Sequence, residues 1–168
     1  MSDSYLHRLQ EAIEAATRGM TAEQLSRHPQ GKWSCSEVLE HLYLTYTGTI
    51  KGLQRCLETG KPLASAPTLK QRLFKFVVVN GGYMPSGRKA PEMTVPKGTS
   101  AAMVVQEIVP TITKMEALIA QSEARFGYGA RVLNHPVLGP LTGRQWRKFH
   151  WVHGMHHVKQ IERLRAYE

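Results

Sequence analysis

The sequence lacks any long apolar run, and no uninterrupted apolar stretch approaches the roughly 20 residues that a membrane-spanning helix needs. Its N-terminal stretch mixes acidic and basic residues and has no apolar core of the kind that a secretory signal carries. Cysteine is scarce too: Cys35 and Cys56 are the only two, and they fall on one predicted helix roughly 30 Å apart, too far to bond to each other. We therefore expect a cytoplasmic protein without a membrane partner.

Acidic residues are also in short supply. Thirteen Asp and Glu stand against 22 Lys and Arg, which gives a net charge of +9. Such a balance raises the hypothesis of nucleic-acid binding, but the basic residues run from Arg8 to Arg165 and no nucleic-acid-binding motif accompanies them. A basic solvated surface, or a field that attracts an anionic small substrate, is the better interpretation.

The spacing of apolar residues predicts helices. A chain of 168 residues suits one domain, which we expect over residues 1–168. Capping boxes at Thr21, Ser34 and Thr142 mark helix starts, and a glycine at position 60 with a following proline ends the second long helix. The long helices are predicted over 4–19, 34–59, 100–122 and from 142 onward.

Two segments between the predicted helices are irregular in composition. Residues 61–98 hold five of the nine prolines around one apolar stretch that suits a short helix or a strand equally, and 127–140 are predicted as a loop. With no credible sheet, the fold class is all-α: a four-helix bundle with a long irregular connection between helices 2 and 3. Such a connection can lie over the end of the core and form a lid on a pocket.

Histidines are concentrated in one place. Four of the eight fall within residues 149–157, and His41 lies inside another amphipathic helix. His153 and His157 are four residues apart, so their rings emerge on one helix face, near enough to bind one ion at about 2.0–2.1 Å. An isolated histidine on such a face is more often an ordinary core residue. The pairs His150/His153 and His153/His156 also have helical spacing, so spacing alone leaves the ligands undecided.

Three short segments resemble a known superfamily. Residues 33–42 (WSCSEVLEHL) and 153–161 (HGMHHVKQI) resemble the two signature regions of the DinB-like superfamily, also called the YfiT-like metal-dependent hydrolases. The stretch 134–142 (NHPVLGPLT) with Trp146 resembles the DUF1569 branch of it. The resemblance implies a four-helix bundle with a long connection between its second and third helices.

The resemblance also implies a metal site made by His41, His153 and His157. Gln160, one turn beyond His157, is expected to hydrogen-bond a metal-binding histidine on the side away from the metal. Glu37 is a weak catalytic candidate beside its capping-box role. Three imidazoles leave a coordination position open, as in catalytic sites. We expect a divalent ion, zinc or nickel first, with iron, manganese and copper as alternatives, and hydrolysis or thiol S-transfer on a small molecule with a low-molecular-weight thiol as cosubstrate.

Functions of other classes remain alternatives. A non-catalytic bundle that the metal stabilises, or one that serves a stress response by binding, fits the same histidines. A basic nucleic-acid-binding module is the third hypothesis. Exposed helix faces are also compatible with a homodimer.

Overall fold

Helices dominate the computed structural model, which describes residues 5–85, 87 and 89–167. The predicted start of the first helix at residue 4 lies outside these residues. The elements in chain order are α1 (Tyr5–Thr17), α2 (Ala22–Ser26), α3 (Cys35–Thr59), α4 (Leu69–Lys75), a π-helical turn (Phe76–Asn80), a 3₁₀ turn (Glu92–Thr94), α5 (Ala101–Phe126), β1 (Arg131–His135), β2 (Gly139–Thr142) and α6 (Gly143–Arg165).

The predicted helical class is confirmed, and the local signals mark the correct boundaries. Reciprocal capping boxes form at Thr21, Ser34 and Thr142, where each side chain accepts a hydrogen bond from the backbone N–H three residues on. Gly60 ends α3 with a left-handed φ of 71°, a conformation that costs glycine little. The finer prediction of a four-helix-bundle topology, like that of a single domain, stays a prediction.

The four long helices bury a shared apolar cluster. Helix α3 packs along α5 and α1 along α6, while α3 with α6, α1 with α5 and α5 with α6 also touch. Leu9, Leu42, Ile112 and Ile161, one from each long helix, are at most 1% exposed and belong to the same cluster. The contact between α3 and α6 positions the candidate site, because the histidines singled out by sequence lie on these two helices.

The prediction that the chain has no sheet was wrong. Strands β1 and β2 pair antiparallel within the segment predicted as a loop, with an irregular register between Arg131 and Leu133. Strands of five and four residues are too short for the alternating pattern that identifies a half-buried strand. Leu133 packs against Gly52 of α3, so the hairpin is attached to the helical core.

The connection at 61–98 is partly helical. Its ambiguous apolar stretch forms α4 and the π-helical turn, and Thr68 caps α4. Val78 and Val79 are buried, the turn packs on α6, and the Lys148 ammonium donates a hydrogen bond of 3.3 Å to the carbonyl of Asn80. The connection is therefore attached to α6, the helix that carries four of the eight histidines.

Replacing Gly154 by alanine is expected to lower the free energy of unfolding by about 1–2 kcal/mol. A Cβ at this position would overlap the side chain of Leu9, which is fully buried, and overpacking typically costs about 1–3 kcal/mol. Gly48→Ala on α3 is the matched control, since a Cβ there meets open space and should add up to about 1 kcal/mol through helix propensity. Urea denaturation of both variants measures the difference, and equal effects at the two glycines would contradict the packing argument.

Candidate metal centre

Three histidine rings from two helices converge on one point. The Nε2 of His153 lies 3.2 Å from the Nε2 of His41 on α3 and 3.2 Å from the Nε2 of His157, one turn further along α6. All three nitrogens lie within 4.8 Å of one another. Among the described residues this is the cluster of histidine, cysteine and acidic side chains that could hold a metal ion.

Two of the rings are oriented by hydrogen bonds on their outer side. The Nδ1 of His41 lies 2.8 Å from the carbonyl oxygen of Thr94, and the Nδ1 of His157 lies 3.0 Å from Oε1 of Gln160. Both oxygens only accept, so each Nδ1 carries the proton and donates it. The Nε2 atoms of both rings therefore point bare lone pairs towards the centre, which is the arrangement that histidine ligands of metals use.

The third ring, His153, makes the cluster incompatible with ordinary hydrogen bonding alone. Its Nε2 faces two bare lone pairs, and a single proton there would serve only one of them. Its Nδ1 is buried and has no hydrogen-bond partner among the described residues. A cation at the centre would engage all three Nε2 lone pairs together, so the donor set fits a divalent metal.

Burial keeps the three imidazoles uncharged. It lowers the pKa of His41, against the opposing effect of the hydrogen bond to Thr94. Burial, followed by the neighbouring histidines His157 and His41, holds the pKa of His153 well below its ordinary value. Burial and the charge of His41 lower the pKa of His157 to about 3. At neutral pH the rings are therefore in the deprotonated form that binds a metal.

Aromatic rings enclose the cluster. The ring of Trp33, which precedes α3, lies 5.3 Å from that of His41, and Phe149 stacks on His153 at 5.5 Å with the planes 8° apart. His41 and His157 are 4% and 9% exposed. His153 is half-buried. The largely apolar surrounding strengthens electrostatic interactions at the centre.

The other histidines with helical spacing have different neighbours. His150 is fully buried and its Nε2 lies 3.1 Å from the hydroxyl of Thr49. His156 is half-buried and contacts His157 through its ring edge. Neither joins the three converging nitrogens, so the geometry separates the pair His153/His157 from the alternatives that spacing left open.

The chain matches a known protein family over most of its length. A family model described as a protein of unknown function, DUF1569, matches residues 2–164. The chain belongs to the DUF1569 family. None of the curated proteins and none of the solved structures matches it. The wider relationship to the DinB-like superfamily stays a prediction.

In this DUF1569 chain, a buried carboxylate holds the connection against the site. Glu40, next to His41, is 1% exposed and accepts hydrogen bonds of 2.6–3.1 Å from the hydroxyl of Thr99 and the backbone N–H groups of Lys97, Gly98 and Thr99. Burial alone would raise the pKa of Glu40, but these hydrogen bonds, that of the Thr99 hydroxyl first, outweigh it and lower the pKa. The carboxylate is therefore ionised at neutral pH.

Neither Glu40 nor Thr94 was predicted from the sequence. An acidic residue on the inward face of an amphipathic helix was a usable signal, because a buried carboxylate needs partners. Thr94 gave no signal, since it acts through its backbone carbonyl and any residue type has one. Glu40 accepts hydrogen bonds from residues 97–99, three to five positions after Thr94, whose carbonyl accepts the hydrogen bond of the His41 ring. We therefore expect Glu40 to support the orientation of His41 through this segment.

The two remaining predicted residues have clear contacts. Gln160 hydrogen-bonds His157 on the side away from the cluster, as expected of a residue that orients a ligand. The carboxylate of Glu37 accepts hydrogen bonds from the backbone N–H and the hydroxyl of Ser34, at 2.8 and 3.0 Å. This capping role accounts for Glu37, and its catalytic role stays a prediction.

Replacing Glu40 by glutamine is expected to weaken metal binding by the DUF1569 protein about tenfold and to lower the free energy of unfolding by about 2–3 kcal/mol. The amide has one acceptor oxygen where the carboxylate has two, so some of the N–H groups of residues 97–99 lose their hydrogen-bond acceptor. The segment that places the Thr94 carbonyl against His41 is then held less firmly. Isothermal titration with Zn²⁺ and urea denaturation measure the two effects. Glu58→Gln, at an exposed position of the same helix, is the control. Unchanged metal affinity in Glu40→Gln would contradict the coupling.

Proposed function

We propose that this protein is a metal-dependent enzyme that binds one divalent transition metal through the Nε2 atoms of His41, His153 and His157. The observation that carries the proposal is the convergence of three neutral imidazole nitrogens, two of them oriented by outer hydrogen bonds, on a point where hydrogen bonds alone leave lone pairs unpartnered. Imidazole suits zinc and nickel, and also iron, manganese and copper. Zinc or nickel is the ion we propose first.

The number of protein ligands favours catalysis over a purely structural role. Structural zinc sites in proteins are closed by four protein ligands, whereas catalytic sites use three and leave a position open. Among the described residues, no fourth histidine, cysteine or acidic group joins the cluster. When bound, a metal in such a site supplies a Lewis acid that activates water or a substrate thiol.

The protein's own residues would orient the ligands and restrict water. Thr94 and Gln160 fix the rings of His41 and His157, and Trp33 and Phe149 supply apolar walls. We propose a small-molecule substrate and either hydrolysis or thiol S-transfer, the two reactions that the resemblance to the DinB-like superfamily implies. A low-molecular-weight thiol would be the cosubstrate of the second reaction.

A structural metal is the second candidate, and one observation favours it. The three histidines bridge α3 and α6 and two of them are almost completely buried, so a metal there would tie two long helices together. A metal-stabilised binding protein would have the same site without turnover.

Metal analysis followed by an activity screen separates the two. Untagged protein is stripped with a chelator, reloaded with Zn²⁺ or Ni²⁺, and assayed with a panel of low-molecular-weight thiols against an electrophile and with activated esters. We expect near-stoichiometric metal and a rate that needs both the metal and one particular thiol, or a metal-dependent hydrolysis. Loss of thermal stability on chelation without any turnover would favour the structural candidate, and absence of metal binding would contradict both.

A further inference from the structure

Most of the net positive charge of this protein comes from the connection between α3 and α5. No acidic residue occurs between Thr59 and Pro91, whereas six cations do: Lys61, Lys70, Arg72, Lys75, Arg88 and Lys89. This segment therefore carries +6 of the net charge of +9. Among the described residues, no ion pair involves a cation of this segment. Its positive field is thus available to an external anionic partner.

The same segment exposes an apolar stripe. Leu69, Leu73 and Phe76 are 82%, 64% and 64% exposed, and their spacing of four and three residues places them on one face of α4 and the turn that follows. Helix α4 buries none of its own residues, but Phe74 on its other side packs against the core cluster, and Val78 and Val79 of the following turn are buried. The stripe accordingly lies on the face of α4 and the turn that is opposite these packed residues.

Cations flank this stripe on both sides. With 3.6 residues per turn, Lys70 follows Leu69 on one side of the stripe, and Arg72 lies on the other. Both are exposed. A row of large apolar side chains between basic residues is the pattern of helices that lie in a membrane interface, where the apolar groups insert and the long cationic side chains reach anionic headgroups.

We propose that the α4 face, defined by Leu69, Leu73, Phe76, Lys70 and Arg72, binds the surface of an anionic membrane. A second copy of the chain is disfavoured as occupant, because two such faces would bring like charges together. Nucleic acid would satisfy the cations but would leave the leucines unused. Within the described part of the chain no helix is long and apolar enough to cross a membrane, so the contact is peripheral. The expectation of no membrane partner rested on the lack of a spanning run, which does not bear on a surface contact.

Vesicle co-sedimentation of the full chain tests the proposal. Vesicles of phosphatidylcholine alone are compared with vesicles that also contain about 30% phosphatidylserine, at low and high salt. We expect binding to the anionic vesicles only, weakened by salt. Lys70→Gln with Arg72→Gln should weaken it roughly fivefold per cation. The triple variant Leu69→Ser, Leu73→Ser, Phe76→Ser should weaken it roughly 100-fold.

A matched triple variant controls for lost apolar surface in general. Met103, Val105 and Tyr128 are exposed outside the α4 face, and their replacement by serine should leave vesicle binding unchanged. Circular dichroism verifies that both triple variants fold. Equal binding to neutral vesicles, no binding to anionic vesicles, or equal loss in the two triple variants would overturn the proposal. So would concentration-dependent self-association, measured by sedimentation, that the α4-face variant abolishes, because the face would then serve a second copy.

Discussion

Replacing His153 by alanine is expected to weaken the binding of Zn²⁺ or Ni²⁺ by roughly two to three orders of magnitude. Structural zinc sites with four ligands gain about 10–16 kcal/mol, so one ligand contributes roughly 2.5–4 kcal/mol. His153 is the member of the cluster whose Nε2 lies 3.2 Å from both other nitrogens, and its loss removes the central donor. Isothermal titration and elemental analysis of untagged protein measure affinity and stoichiometry.

The control for this prediction uses the neighbouring histidines. His156→Ala alters a half-buried ring three residues away, and His150→Gln alters a fully buried one; both should bind metal within about threefold of the parent chain. His41→Ala should behave like His153→Ala although it lies on another helix. Stoichiometric metal in both His41→Ala and His153→Ala would contradict the site, and loss in His150→Gln alone would favour a different ligand set.

Stability gives the same prediction a second readout. A metal at about 100 times its dissociation constant adds roughly 2.7 kcal/mol to the free energy of unfolding of a protein that binds it only when folded. The parent chain should gain this on adding metal, whereas His153→Ala should gain almost none. This comparison does not depend on knowing the substrate.

The parts of the site that sequence could predict follow from local rules. The capping boxes at Ser34 and Thr142 fixed where α3 and α6 begin, because side chain and backbone partners lie three residues apart. The four-residue spacing of His153 and His157 places them on one face, because a helix has 3.6 residues per turn. The short β hairpin was not predicted, because its strands are too short to show a detectable alternation of apolar and polar residues.

The parts that sequence could not predict depend on contacts between distant segments. That His41 meets His153 is a consequence of how α3 packs on α6, and helical spacing contains no information about the second helix. The resemblance to a family supplied that ligand. Two hydrogen bonds between α3 and the connection, from the His41 ring to the Thr94 carbonyl and from the Lys97 N–H to the Glu40 carboxylate, join residues more than 50 positions apart. No periodic pattern predicts them.

Acidification is expected to cost the metal-free protein about 4 kcal/mol between about pH 7.5 and pH 5 through two buried histidines alone. Burial lowers the pKa of His135 to about 4, and burial with the charge of His135 lowers that of His150 to about 3. In the unfolded chain both titrate near 6.5. Below about pH 6.5 the two histidines are protonated in the unfolded chain but stay neutral in the folded chain. The free energy of unfolding that they contribute above about pH 6.5 is therefore lost as the pH falls.

Urea denaturation at a series of pH values measures this loss as a slope. Each histidine contributes up to about 1.4 kcal/mol per pH unit in the window between its two pKa values. His150→Gln should therefore reduce the slope by the contribution of one proton, about 1.4 kcal/mol per pH unit, whatever it does to stability at neutral pH. His28→Gln, at an exposed ring, is the control. A slope unchanged by His150→Gln would show that His150 is not a group whose pKa is lowered on folding.

The three clustered histidines act in the same direction when no metal is bound. Burial lowers the pKa values of His41, His153 and His157 as well. On acidification the metal-free protein should therefore lose more stability than His135 and His150 alone account for. The folded, metal-free site should take up few protons in this window, because burial holds the pKa of His157 at about 3 and that of His153 well below its ordinary value. The stability added by metal should therefore change little between pH 7.5 and pH 5 in the parent chain and stay near zero throughout in His153→Ala. A steep fall of this added stability towards pH 5 would show that the folded rings bind protons in the window, contrary to the burial argument.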